Sequence, residues 1–226
     1  MPAIRGVAHA TASAATSCTV DVSGIGAQPG DVMVAYIGVT TNVAVSATAV
    51  ANLTWPRIST QLANGAGLSA TKFAHRVSYV AGREPNTWTW NTGATATNWS
   101  ITIVCFAGSV DFFAKSSDKV ATVAGLTVNA PTMINTSCAG LIVIVGWASA
   151  SNSTFSGPPA GYTIEDQINN ASGISVAIAV AEVTAPFPAG TGTLSVTTSN
   201  AGLGVGHSSL WMPWDLELQV LDLAYI

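Results

Sequence analysis

The sequence predicts an all-β fold, and three observations support the prediction. We find no run of a dozen residues with apolar positions at i, i+3, i+4 and i+7, the spacing typical of an amphipathic helix. The chain is rich in Thr and Val, which favour strands. Short apolar or alternating runs recur between clusters of turn-forming residues. Together these features favour a jelly-roll-like antiparallel β-sandwich.

Ten segments have strand character, and each is bounded by Gly, Pro, Asn or Ser. We predict strands over roughly 18–23, 31–39, 71–80, 86–91, 98–107, 124–130, 140–148, 173–183, 192–198 and 203–211.

The order of these segments repeats along the chain. "CTVDVSGIGAQPGDVMVAYIG" is matched by "GLTVNAPTMINTSCAGLIVIVG", each a short strand, a loop and then an apolar strand. "KFAHRVSYVAGREPNTWTWNT" is matched by "SVAIAVAEVTAPFPAGTGTLSVTT", and "WSITIVCFAG" by "GLGVGHSSLWM". The offsets are about 105 residues. The pattern predicts two pseudo-symmetric halves, about 17–110 and 124–212.

No Pro/Ser-rich or charged linker separates the halves, because "VDFFAKSSDKVATV" at 110–123 is too apolar and too short for a flexible tether. We therefore predict one sandwich domain over residues 1–212. Either each half forms its own small sandwich, or the strands of the two halves interleave, and the missing linker favours interleaving.

Composition excludes several classes of partner. Asp, Glu, Lys and Arg make up only 8% of the residues, so Thr, Ser, Asn and Gly supply most of the surface. The longest apolar run, "GLIVIVGWA", has about half the length that a transmembrane helix needs, so we expect no membrane insertion. No basic patch is present for nucleic acid. The start has no signal-peptide pattern, so we expect synthesis in the cytoplasm without one.

Charge is uneven along the chain. Residues 1–119 carry a net charge of +2 and residues 120–226 carry −6. Compositional drift explains this difference, and the alternative is that opposite ends of neighbouring copies meet.

The sequence predicts no catalytic, metal or cofactor site, and therefore no enzyme. "GHSSL" at 206–210 lacks the last glycine of a nucleophile elbow and lies in an all-β setting, so Ser208 is no nucleophile on this pattern. Glu165 and Asp166 are interpreted as solvated turn residues, because neighbours on a strand would face opposite ways. The three histidines are scattered, and none has metal-ligand spacing. A hydrolase using Ser208 or Glu165 stays the least favoured class.

Three cysteines cannot all pair within one chain, and none lies in a C-x-x-C motif. Cys105 is interpreted as a small core residue. In "KFAHRVSYV" we place Phe73, His75, Val77 and Tyr79 on the inward face, with His75 as a hydrogen-bonded core or rim histidine and Arg76 facing solvent or a neighbouring subunit.

The tryptophans offer two interpretations. Trp88 and Trp90 in "TWTW" point to the same sheet face, where they either fill the core or form a platform for sugar rings. The core is favoured, because Thr87 and Thr89 then face water. The alternative is a carbohydrate-binding, host-attachment module whose stacking residues are Trp55, Trp88, Trp90 or Trp99.

The segment 213–226 has no counterpart in the first half. In "PWDLELQVLDLAYI", apolar and polar residues alternate through Val220. Ordering such a segment costs about 1–2 kcal/mol per residue, which burial of its large side chains must offset. We predict an assembly arm that crosses to a neighbouring subunit. Its predicted interface residues are Trp214, Leu216, Leu218, Val220, Leu223 and Tyr225.

A family resemblance rests on turn and strand motifs: Gly-Asp before an apolar strand, "PPAGYT" at 158–163, Val-Ala before a turn and "TWTW", and Val-Asp at 110–111. Over about residues 17–212 the chain resembles a recurrent type of tailed-bacteriophage virion protein. In the first half the segment matching "PPAGYT" is "NLTWPR", so that loop must be built differently.

The resemblance implies a structural protein on the exterior of the particle, of the head-decoration, fibre or minor-tail type. Its partners would be other virion proteins and copies of itself, in a homo-oligomer of three or more, with host surface glycans as the alternative partner.

Overall fold

The computed structural model describes residues 3–50, 52–65, 67–80, 82–108, 110–114, 120–131, 141–182 and 193–213. Within these residues it contains fifteen strands and one short 3-10 turn at Ser23–Ile25. All strand pairs are antiparallel. The predicted all-β sandwich is confirmed, while its jelly-roll character and its two pseudo-symmetric halves stay predictions.

The first part of the chain forms two sheets. A five-stranded sheet, the first large sheet, has the order β1-β8-β3-β6-β5, and a small sheet has the order β2-β7-β4. The strands are β1 (Ile4–Ala15), β2 (Ser17–Asp21), β3 (Val32–Val39), β4 (Ser46–Ala47), β5 (Leu62–Asn64), β6 (Leu68–Arg76), β7 (Thr87–Asn91) and β8 (Thr97–Phe106).

The later part of the chain forms a second large sheet, with the order β10-β15-β11-β14-β13 and with β9 and β12 also paired to β15. The strands are β9 (Val110–Ala114), β10 (Val120–Ala130), β11 (Ile142–Ser149), β12 (Phe155–Ser156), β13 (Thr163–Asn170), β14 (Ile174–Glu182) and β15 (Leu194–Pro213). The segments predicted as separate strands at 192–198 and 203–211 are therefore one long strand.

Three apolar clusters hold these layers together. One lies between the small sheet and the first large sheet, and a second lies between the two large sheets. The third covers the outer face of the second large sheet with residues from β12 and from the ends of β10 and β15 that fold over it. Both central strands, β3 and β11, are buried at all eight positions because each has layers on both faces.

The two large sheets have corresponding strand orders. Replacing β1, β8, β3, β6 and β5 by β10, β15, β11, β14 and β13 converts one order into the other. Each described ladder joins strands from the same part of the chain, 4–106 or 110–213. No described ladder joins the two parts of the chain, and the two large sheets pack against each other across an apolar cluster.

The centre of this contact is Tyr36 on β3 against Gly146 on β11. A Cβ atom at Gly146 would lie 2.5 Å from the Tyr36 ring, so only glycine leaves room for the aromatic side chain. The fully buried Tyr36 hydroxyl donates to the Val205 carbonyl at 3.0 Å and lies 2.9 Å from His207 Nδ1. One tyrosine therefore bridges the two large sheets at a point of close approach.

Two asparagines join the halves at corresponding places. Asn170, at the end of β13, donates from Nδ2 to the carbonyls of Ala12 and Trp99 at 2.8 and 3.1 Å. Asn64, at the end of β5, donates from Nδ2 to the carbonyls of Thr122 and Gly204 at 2.7 and 2.9 Å. The acceptors are cross-strand partners in both cases, Ala12 with Trp99 and Thr122 with Gly204. The same pair of hydrogen bonds is therefore made twice, once from each half to the other.

The predicted inward face of the β6 region is partly wrong. Phe73, His75 and Val77 are buried as predicted, but Tyr79 is 67% exposed because β6 ends at Arg76. Arg76 is half-buried rather than fully turned to solvent, since the second large sheet covers that face.

Removing either asparagine clamp should weaken the junction of the halves. We expect Asn64→Ala and Asn170→Ala each to lower the free energy of unfolding by about 1–3 kcal/mol, because two carbonyls lose their donor. Urea denaturation measures the change. Asn169→Ala is the matched control, since its side chain bonds only Asn152 at the surface and should change stability by under about 0.5 kcal/mol. Equal losses of stability in all three variants would contradict the assignment of Asn64 and Asn170 as the residues that join the halves.

Candidate functional site

The tryptophans proposed for sugar stacking lie in the core. Trp88, Trp90 and Trp99 are fully buried and Trp55 is 3% exposed. Trp55 packs edge-on against Trp88 and Trp90, with ring centroids 5.7 and 5.2 Å apart. The core interpretation of Trp88 and Trp90 is confirmed. None of the four rings presents a face to solvent, so the stacking platform is not formed.

His75 is a buried structural residue. Its Nδ1 lies 2.9 Å from the Thr54 carbonyl and its Nε2 lies 3.0 Å from a Glu84 carboxylate oxygen, while the ring stacks on Trp55. Glu84 also lines a partly open cavity of about 150 Å³ beside Met33. Ligand pockets usually have about 300–1,000 Å³, so this cavity suits a few waters rather than a substrate.

The carboxylates at 165 and 166 are not turn residues, which corrects the sequence interpretation. Both lie on β13, and a register shift separates Ile164 from Asp166. Asp166 accepts from the Thr102 hydroxyl, and both its oxygens lie 3.1 Å from His9 Nδ1. Burial raises the pKa of Glu165. The Asp166 carboxylate thus joins β13 to the first large sheet.

The serine of "GHSSL" is buried. Ser208 is 5% exposed, and its hydroxyl donates to the Pro131 carbonyl at 3.0 Å. Among the described residues, no group of three or more His, Cys, Asp or Glu could hold a metal ion. No helix in the described part of the chain has the length and apolarity to cross a membrane.

Sequence reasoning missed a buried lysine. Lys72 on β6 is fully buried between the large sheets, where Nζ donates to the Ile144 carbonyl at 3.0 Å and to the Ser209 hydroxyl at 2.9 Å. Both partners are neutral. Burial therefore lowers the pKa of Lys72 to about 7. The sequence signal was a lysine in the middle of an apolar strand, four residues before Arg76 at its end.

The candidate functional surface is an exposed apolar stretch of β10, an edge strand of the second large sheet. Five large hydrophobic side chains are exposed among the described residues, and two of them, Val123 and Leu126, lie three positions apart on this strand. Val123 is 83% exposed and Leu126 is 53% exposed. The register against β15 shifts on both sides of Gly125, so the strand bends here. We call the exposed pair Val123 and Leu126 the β10 patch. Leu203, which lies between the β15 partners of this bend, is partly buried and packs against the apolar cluster between the large sheets.

The predicted arm interface lies outside the described residues, with all six of its members: Trp214, Leu216, Leu218, Val220, Leu223 and Tyr225. Comparisons of the chain with protein-family models, with curated proteins and with solved structures found no match. The β10 patch is a surface suited to binding another apolar segment.

The buried lysine should make stability depend on pH. The folded-state pKa of Lys72 lies below its unfolded value of 10.5, so the folded chain binds fewer protons above pH 7 and its stability should rise as pH rises from 7 to 8.5. We expect a gain of at most a few kcal/mol in the free energy of unfolding. The range stops at 8.5 because burial raises the pKa of Cys18 and Cys105 to about 12, which opposes the trend at higher pH.

Lys72→Met is the matched variant, because methionine is also a long unbranched side chain. Ser209 then retains Trp211 and the Ile144 carbonyl as partners. Its denaturation midpoint should be higher at pH 7 and should change less between pH 7 and 8.5. A slope equal to that of the wild-type chain would show that Lys72 does not titrate in this range.

Tryptophan fluorescence tests the buried cluster. In a Trp214→Phe variant every remaining tryptophan is at most 3% exposed. We expect acrylamide to quench its emission far less than that of the denatured chain, and soluble glycans to leave it unchanged. Saturable quenching by a glycan that disappears in Trp88→Phe would restore the stacking hypothesis.

Proposed function

We propose that this chain is a non-enzymatic structural protein of a virus particle of the tailed-bacteriophage type. It is an exterior decoration or a minor capsid or tail component that binds copies of itself and the particle. The observation that carries the proposal is the β10 patch, where apolar side chains project from an edge strand.

The rest of the surface supports the same proposal. Charged residues are only 8% of the chain, so electrostatic repulsion between copies is weak. The resemblance of its strand and turn motifs to phage virion proteins supplies the particle as the partner. Ser208, Asp166 and His75, which carry the groups most suited to chemistry, are each bonded within the fold.

Two measurements test the proposal. Light scattering of the purified chain should give a mass of several times 22.9 kDa, which falls on dilution. Mass spectrometry and immunogold labelling of particles whose genome encodes this chain should find it on their exterior. Particles that lack the chain would overturn the virion assignment, and a single-chain mass at every concentration would overturn self-association.

A further inference from the structure

Comparison of corresponding positions in the two halves isolates the β10 patch. The pairs Ala12–Trp99 and Ala15–Thr97 on β1 and β8 correspond to Thr122–Gly204 and Gly125–Gly202 on β10 and β15. By this register Ser13 corresponds to Val123, Thr16 to Leu126 and Asn98 to Leu203. Three polar positions of the first half are apolar in the second.

In the first half two of these polar residues, Ser13 and Asn98, bond to residues of the other half. The Ser13 hydroxyl lies 2.8 Å from the Ser172 hydroxyl and donates to Asn170 Oδ1 at 3.1 Å. Asn98 Nδ2 donates to the Ser172 carbonyl at 3.0 Å. In the second half, Val123 and Leu126 stay exposed. Leu203 packs against the apolar cluster between the large sheets, whereas burial in this chain does not account for Val123 and Leu126, and their exposure points to a binding partner.

We propose that the β10 patch binds the alternating segment 215–220 of a second copy of this chain. This inference rests on the proposed function, because it specifies how copies associate. Leu216, Leu218 and Val220 share one face of an extended segment, which suits an apolar patch. Asp215, Glu217 and Gln219 then face solvent, and residues 120–130 carry no charge that would repel them.

The binding mode is addition of a strand to the edge of β10 that faces away from β15, which no described strand covers. Val123, Ala124 and Leu126 have no Cα partner on β15, because the register shifts leave them out of the ladder. Within the described residues β10 pairs with β15 alone, so its other edge has no described strand partner and can accept an incoming strand, while the patch side chains supply specificity.

The short length of chain between Pro213 and the alternating segment indicates that the segment comes from a second copy. From Gly204 to Pro213 β15 pairs continuously with β11 and β9, so Pro213 lies about 30 Å along the sheet from the level of the patch. Leu216 to Val220 are only three to seven residues past Pro213, which span about 10–25 Å when extended. The alternating segment of the same chain is too close to Pro213 to cover its own patch, whereas that of a neighbour has no such limit.

Complementation between two full-length variants tests the inference. The patch variant, Val123→Ser with Leu126→Thr, carries the residues of the first half at these positions. The arm variant is Leu216→Asp with Leu218→Asp. Each should scatter light as a single chain of 22.9 kDa where the wild-type chain is larger. An equimolar mixture should form dimers of twice that mass, because one intact arm meets one intact patch and assembly stops there.

Controls separate this inference from the proposed function. Val80→Ser removes a 58% exposed side chain elsewhere and should leave the wild-type mass unchanged. Thermal melts should be cooperative for every variant, since the patch positions are exposed. A patch variant that assembles like the wild-type chain, or a mixture that stays monomeric, overturns the inference while self-association stands. A wild-type chain that is itself monomeric overturns both.

Discussion

The close contact of the two large sheets is the constraint on which the rest of the structure depends. Tyr36 occupies the space that a side chain at Gly146 would need, so the sheets approach closely and exclude water. Strands β3 and β11 consequently have no solvent-facing side. A polar group trapped here needs a partner within the fold, and some find it in the other sheet, as Lys72 does with Ile144 and Tyr36 with His207.

The two halves share their strand order but differ where they touch. Asn64 and Asn170 make the same pair of bonds from either side, so the junction is nearly symmetric at its edges. At its centre symmetry breaks, because two tyrosines could not occupy the point where Tyr36 faces Gly146. A large side chain in one half faces a glycine, which has no side chain, in the other. This gives a complementary fit that two identical halves would lack. This fixes how the halves face each other.

Much of the fold follows from local sequence, and the exceptions have physical causes. The central strands were predictable because their apolar runs are continuous between turn residues. Strand β1 was missed because alternating Ala, Ser and Thr carry a weak strand signal, and β13, "TIEDQINN", because a polar edge strand resembles a loop. Burial of Trp88 and Trp90 followed from their spacing. Burial of Lys72 did not, because it depends on a sheet from the distant half that covers a face usually left to solvent. The β10 patch was detectable only by aligning the halves by register, which needs the ladders.

The asymmetry of the patch bears on the form of assembly. A chain of two similar halves would ordinarily present two similar edges, and a binding segment would then have two acceptors per copy. Here the first half carries Ser13 and Thr16 where the second carries Val123 and Leu126, so each copy has one apolar acceptor and one alternating segment. One donor and one acceptor on different surfaces make a head-to-tail contact, which closes into a ring if the rotation between copies permits and otherwise extends. In the proposed assembly the apolar edge of β10 would set the direction in which copies add, because few charges are available to steer association.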